Sequence, residues 1–159
     1  FVITADHGAS ARGTGEIPID KYLIPVLFYS PAHIKPGRVD RLMSQIDISP
    51  TLLGQLNFSY DSKFFGQDIQ RLPLGEERAF VANYQSLGYL RDGRLVMLYP
   101  RRKVQISDSE HAGSRCSNQP LDDKTLQREA ISWYEAASLA FGRGNYLDED
   151  IDAAAARKK

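Results

Sequence analysis

The chain opens on Phe1-Val2-Ile3-Thr4-Ala5-Asp6-His7-Gly8. Four apolar and β-branched residues run straight into an acid, an imidazole and a glycine. A short continuous apolar run of this kind predicts a strand covered on both faces, as in a parallel sheet. The carboxyl end of such a strand is where α/β folds place their ligands. A carboxylate oxygen and a neutral imidazole together suit a divalent cation such as Zn²⁺ or Mn²⁺. Adjacent strand residues point to opposite faces, so Asp6 and His7 share a cation only if the strand has ended and the backbone turns. Gly8 permits that turn. The plainer reading is a strand-end Asp capping a loop beside a surface His, and the dipeptide alone does not choose. The Gly-rich loop Gly8 to Gly15 carries Ser10, Arg12 and Thr14, groups that suit an anionic oxygen.

Working outward, Ile24 to Tyr29 is a second buried-strand pattern, closed by Ser30-Pro31. In "SQIDISPTLLGQL", Ser49 before Pro50 predicts a helix N-cap, with Asp47 as a cap one turn earlier. Leu52, Leu53 and Leu56 supply its apolar stripe. Asn57 to Pro73 is irregular. The pattern then changes at "PLGEER". Ala79 to Tyr84, Ser86 to Arg91 and Arg94 to Tyr99 read as strands, with Asp92-Gly93 as a two-residue hairpin turn and Arg101 to Ile106 as a further strand. Asp122 or Asp123 caps a helix running to about Phe141, where Gly142 and Gly144 end it. Its apolar face is Leu126, Ala130, Trp133, Ala137 and Phe141. This organisation predicts two parts: residues 1–75, α/β, and residues 76–159, a small antiparallel sheet plus a C-terminal helix.

Composition bounds the function. The 159 residues are 42% hydrophobic and 25% charged, as in an ordinary globular domain. Twenty Lys and Arg balance twenty Asp and Glu, which argues against a nucleic-acid partner. One cysteine, Cys116, excludes an internal disulfide and a Cys-based zinc site. No stretch approaches the roughly 20 apolar residues of a membrane span. A first residue other than Met suggests a downstream piece of a longer protein. An unsupported core strand would then expose sheet edges that favour self-association.

"FVITADHG" resembles the strand-end motif of the sulfatases and their relatives in the alkaline phosphatase superfamily. "IPVLFYSPAHIKPGRVDRLMSQIDISPTLLGQL" is similar to the strand, proline turn and helix start that follow it there, and "FFGQDI" resembles the next turn. The resemblance covers about residues 1 to 70. It implies the C-terminal portion of an alkaline phosphatase-like fold, with an appended antiparallel meander and terminal helix. The lipoteichoic acid synthase and phosphoglycerol transferase branch looks closest. That branch implies a Thr nucleophile and a Glu upstream of this chain, with Asp6 and His7 completing the ligands of one divalent cation, Mn²⁺ in that branch. It also implies a phospholipid or glycan headgroup as substrate, a contact from Ser10, the upstream half of the same domain as a partner, and a membrane-anchored parent whose catalytic domain lies outside the cytoplasm. Arg12 reads, from the loop itself, either as a group supporting substrate binding or as a solvated loop cation. In one respect the chain departs from the synthases. Gly8 follows His7 directly, which moves Ser10 one position closer and is more sulfatase-like. Formylglycine sulfatase chemistry, with Ca²⁺, is therefore the alternative, and Zn²⁺ is a third ion to consider.

The remaining candidates have plainer readings. Cys116 lacks the downstream arginine of a formylglycine signature and reads as a loop cysteine. His33 and His111 read as surface histidines. Asp47 reads as a helix cap in preference to a metal ligand. Trp133 and Tyr134 read as packing residues, and Arg101-Arg102-Lys103 as a solvated strand end. The isolated chain, holding two ligands of a larger set, is expected to be an inactive folded fragment or an interaction module, with residues 76–159 as an interaction or packing appendage.

Overall fold

The computed structural model describes residues 1–8, 17, 19–110 and 120–144. Ser10, Arg12, His111 and Cys116 lie outside them. The first pair of strands is β1 (Val2–Thr4) and β2 (Val26–Phe28). They run antiparallel, with Ile3 opposite Leu27. This corrects the expectation of a buried parallel strand. Phe1, Ile3, Leu27 and Tyr29 lie on one face of the pair and are all more than half exposed. The apolar run marks a surface made to be covered, and nothing else among the described residues covers it.

A 3-10 turn at Gln45–Asp47 runs directly into α1 (Ile48–Gln55). Asp47 already has helical dihedrals, so no extended residue remains at Ser49 to act as the cap. The cap lies earlier: the Asp47 carboxylate accepts the Ser44 N–H at 2.8 Å. Pro50 still falls within the first turn, where its missing N–H costs nothing. The buried residues of α1 are Pro50 and Thr51, and Leu56 is exposed. The reason is the turn at residues 65–69, which lies across the Thr51 side. The Thr51 hydroxyl accepts the Ile69 N–H (3.1 Å), and the Gln67 N–H donates to Asp47 Oδ1 (2.8 Å). A Cβ on Gly66 would collide with the Ile46 carbonyl, and one on Gly54 with the Asp68 carboxylate. "QIDISPT" and "FFGQDI" are thus two sides of one clasp.

Four antiparallel strands follow in sequence order: β3 (Ala79–Ala82), β4 (Leu87–Arg91), β5 (Arg94–Leu98) and β6 (Val104–Asp108). Asp92 and Gly93 join β4 to β5 with φ of 51° and 71°, the left-handed pair that a two-residue hairpin needs. Helix α2 (Asp123–Gly142) starts at Asp122, whose carboxylate accepts the Thr125 N–H at 2.8 Å.

The meander is a middle layer. On one face Tyr89 and Val96 pack against Leu126 and Ala130 of α2, with Phe80 and Trp133 beside them. On the other, Ala79, Val81, Leu90, Leu95 and Met97 pack against Ile17, with Ile19 and Leu42 at the margin. The Tyr134 hydroxyl donates to the Gly88 carbonyl at 2.8 Å. Phe141, about two turns further on, is 74% exposed, so the predicted stripe stops short of it.

Arg78, just before β3, joins the layers. Its side chain is 2% exposed and that of Asp47 is 1% exposed, and Nη1 reaches both Asp47 oxygens at 3.1 and 3.2 Å. Nη2 donates to the Phe65 carbonyl at 2.7 Å. The guanidinium lies 4.9 Å from the Phe80 ring centre and 4.8 Å from that of Trp133.

Removing one partner of a buried pair strands the other charge. Asp47→Ala is expected to cost about 3–5 kcal/mol in urea unfolding, and Asp47→Ala/Arg78→Met to recover only part of it, because the Ser44 and Gln67 N–H groups stay unpaired. Burial pushes the Tyr89 and Tyr134 hydroxyls up to about 12. The unfolded phenols ionise near about 10, so the folded state holds these protons more tightly. Their contribution to stability is complete below about 10 and is lost as pH rises through about 12. Phenolate absorbance alongside unfolding midpoints across that window checks this, and Tyr134→Phe should make the fall shallower.

Candidate metal-binding site

β1 ends at Thr4, whose hydroxyl donates to the Pro25 carbonyl at 3.1 Å. The chain then bends, as a shared site requires. The Gly8 N–H donates to the Lys21 carbonyl at 2.7 Å. A Cβ on Gly8 would stand 2.8 Å from the Asp20 carbonyl oxygen and 3.0 Å from that of Lys21, so the bend closes only with glycine at this position. On the other side, Gln45 Nε2 donates to the Ala5 carbonyl at 3.2 Å.

Between these two points stand Asp6 and His7, both largely exposed. The Asp6 Oδ1 accepts the His7 N–H at 3.0 Å. His7 Nδ1 lies 2.9 Å from the Gly8 carbonyl, an acceptor only, so Nδ1 carries the proton and donates. That leaves the lone pair on Nε2, which lies 3.8 Å from Asp6 Oδ1. A backbone carbonyl on one ring nitrogen is the usual way a metal-binding imidazole is oriented. One first-row cation bonded at about 2.0–2.2 Å to each donor spans such a separation. The donor set fits half of a divalent site. Among the described residues no group of three or more His, Cys, Asp or Glu completes it.

The other sequence candidates are dispersed. Asp47 is neither a metal ligand nor the side-chain cap of α1; it accepts from Ser44, Gln67 and Arg78. His33 is exposed in its turn, 3.0 Å from the Ser30 hydroxyl. Arg101, Arg102 and Lys103 are exposed and solvated as expected, but Arg101 and Arg102 form a 3-10 turn with positive φ and not a strand end; the strand expected from Arg101 to Ile106 starts only at Val104. Sequence reasoning missed Gln45, Arg78 and Gly66. No periodicity or motif marks Gln45 or Arg78, and Gly66 carried only a turn signal.

With the geometry in place, two similarities bear on the chain. The Sulfatase family model matches residues 1–58. The structure is similar to that of a protein in the alkaline phosphatase superfamily from Vibrio parahaemolyticus, with a TM-score of 0.76 and 27% identity. The likeness covers 94% of this chain and 36% of that one. Together they support the alkaline phosphatase superfamily, whose members are enzymes that typically use divalent metal ions. The α/β fold with its antiparallel meander and terminal helix is shared with that neighbour along nearly the whole chain.

Gly8→Ala is expected to open the Gly8–Lys21 hydrogen bond and to lower stability by about 1–3 kcal/mol. Thermal unfolding measures the cost, and the His7 ring resonances report the displaced site.

Proposed function

We propose that this chain supplies the Asp-His half of a divalent-metal site in an enzyme that transfers or hydrolyses phosphoryl esters of the phosphoglycerol type. The observation that carries the reading is the His7 Nε2 lone pair set beside Asp6 Oδ1, with Nδ1 tied to Gly8. Asp6 contributes an anionic oxygen and His7 a neutral nitrogen, a borderline donor set that suits Mn²⁺ or Zn²⁺. When bound, the cation would lower the pKa of a hydroxyl nucleophile and neutralise charge on the transferred group. The nucleophile, a Thr, and a further Glu ligand are supplied from upstream. Ser10 and Arg12 meet an anionic lipid or glycan headgroup. The exposed face of Phe1, Ile3, Leu27 and Tyr29 packs against the upstream half of the same domain, or, in the isolated chain, against a second copy. The parent is membrane-anchored with its catalytic domain outside the cytoplasm. No helix among the described residues is long and apolar enough to cross a membrane.

A second reading is sulfuric ester hydrolysis with Ca²⁺ and an upstream formylglycine. The glycine directly after His7, fixed by the Asp20 and Lys21 carbonyls, favours it.

Assay of the full-length protein with phosphodiester and sulfate ester substrates, with Mn²⁺ or Ca²⁺ supplied, separates the two. The first reading expects phosphodiester turnover, reduced more than about 100-fold in Asp6→Ala and His7→Ala. Turnover of sulfate esters alone would establish the second. No turnover of either would sink the enzyme reading. The isolated chain is expected to turn over neither substrate.

A further inference from the structure

The Asp6–His7 segment is a short arch with two footings, the Ala5 carbonyl and the Gly8 N–H. The Gly8 footing lies within the loop that follows the site. The Ala5 carbonyl lies 3.3 Å from the adjacent Thr4 hydroxyl, which also reaches Pro25, and takes a further donor from forty residues away, the side chain of Gln45. Because the peptide unit is planar, orienting the Ala5 carbonyl also orients the Asp6 nitrogen and Cα, from which the carboxylate projects.

Gln45 is itself exposed, so burial does not force its amide onto Ala5. Its place is set by its neighbours. Ser44 and Asp47 are buried, and two hydrogen bonds close the turn between them, Ser44 N–H to Asp47 Oδ2 at 2.8 Å and Asp47 N–H to Ser44 O at 2.9 Å. Asp47 in turn is locked by Arg78 and the Gln67 N–H. A continuous set of bonded contacts therefore runs from Arg78, the residue before the meander, to the strand end.

We propose that Gln45 is a positioning residue for the Asp6–His7 pair, held in register by the Asp47–Arg78 clasp. The inference rests on the metal-site reading above. An exposed hydrogen bond contributes little net stability, so Gln45 acts on the orientation of the pair more than on the stability of the fold. An amide is required because the Ala5 carbonyl only accepts. A carboxylate of the same shape offers no donor and faces the carbonyl oxygen with like charge.

The test uses the full-length protein with Mn²⁺ titrated by calorimetry, melting temperatures measured without metal, and His7 ring resonances recorded without metal. Gln45→Ala and Gln45→Glu are expected to weaken Mn²⁺ binding about 10–100-fold, to shift the His7 resonances, and to leave the melting temperature unchanged. Asp6→Ala is expected to abolish binding. If Asp6→Ala abolishes binding while Gln45→Glu binds as the parent does, the positioning role is overturned and the metal site stands. A loss of affinity in the Gln45 variants matched by a loss of melting temperature also overturns it. If Asp6→Ala binds Mn²⁺ as the parent does, the metal-site reading falls and this inference falls with it.

Discussion

The buried contact between Arg78 and Asp47 is the constraint on which the rest of the arrangement depends. Neither charge has water to solvate it, so each must be satisfied by protein. Asp47 does so by gathering the Ser44 and Gln67 N–H groups as well as the guanidinium. Arg78 adds the Phe65 carbonyl and the faces of Phe80 and Trp133, while its buried Nε has no hydrogen-bond partner. One ion pair thereby fixes the start of α1, the turn at residues 65–69, the first strand of the meander and the inner face of α2. Elements distant in sequence are held to one point.

The meander is less an appendage than its position in the sequence suggests. Covered by α2 on one face and by Ile17, Ile19 and Leu42 on the other, it is the layer against which Ile17 and Ile19 are set. The Tyr22 hydroxyl donating to the Ala82 carbonyl adds a second attachment shortly after them. The Asp-His arch is thus flanked on its C-terminal side by a segment anchored to the meander. On its N-terminal side it is tied through Gln45 to the clasp.

How much of this could be read from residues depends on whether the signal was local. The hairpin at Asp92-Gly93 follows from φ requirements that few residues meet, and α2 follows from its cap and spacing, so both were legible. The first strand was legible as a strand but not in its pairing. An apolar run reports that a surface is to be buried, without saying whether this chain buries it; Ile3 and Leu27 remain uncovered here. Asp47 was legible as a capping acid, which it is for Ser44, but its buried partner thirty-one residues on was not. Arg78 stands in "EERAF" among other charges, and nothing there distinguishes a cation bound for the interior from a solvated one. Asp6 and His7 were legible as a candidate pair. The tautomer that makes the pair useful depends on the Gly8 carbonyl, which only a folded backbone positions.

Trp133 is the chain's single tryptophan, and it lies against the Arg78 guanidinium with the Phe65 and Phe80 rings nearby. Indole emission is sensitive to an adjacent fixed charge and to water entering its surroundings. The molecule therefore carries an intrinsic optical probe at the junction of its layers, spectrally separate from its eight tyrosines. Loosening of the clasp would register as a change in emission colour and intensity while the secondary structure, followed by circular dichroism, stays intact.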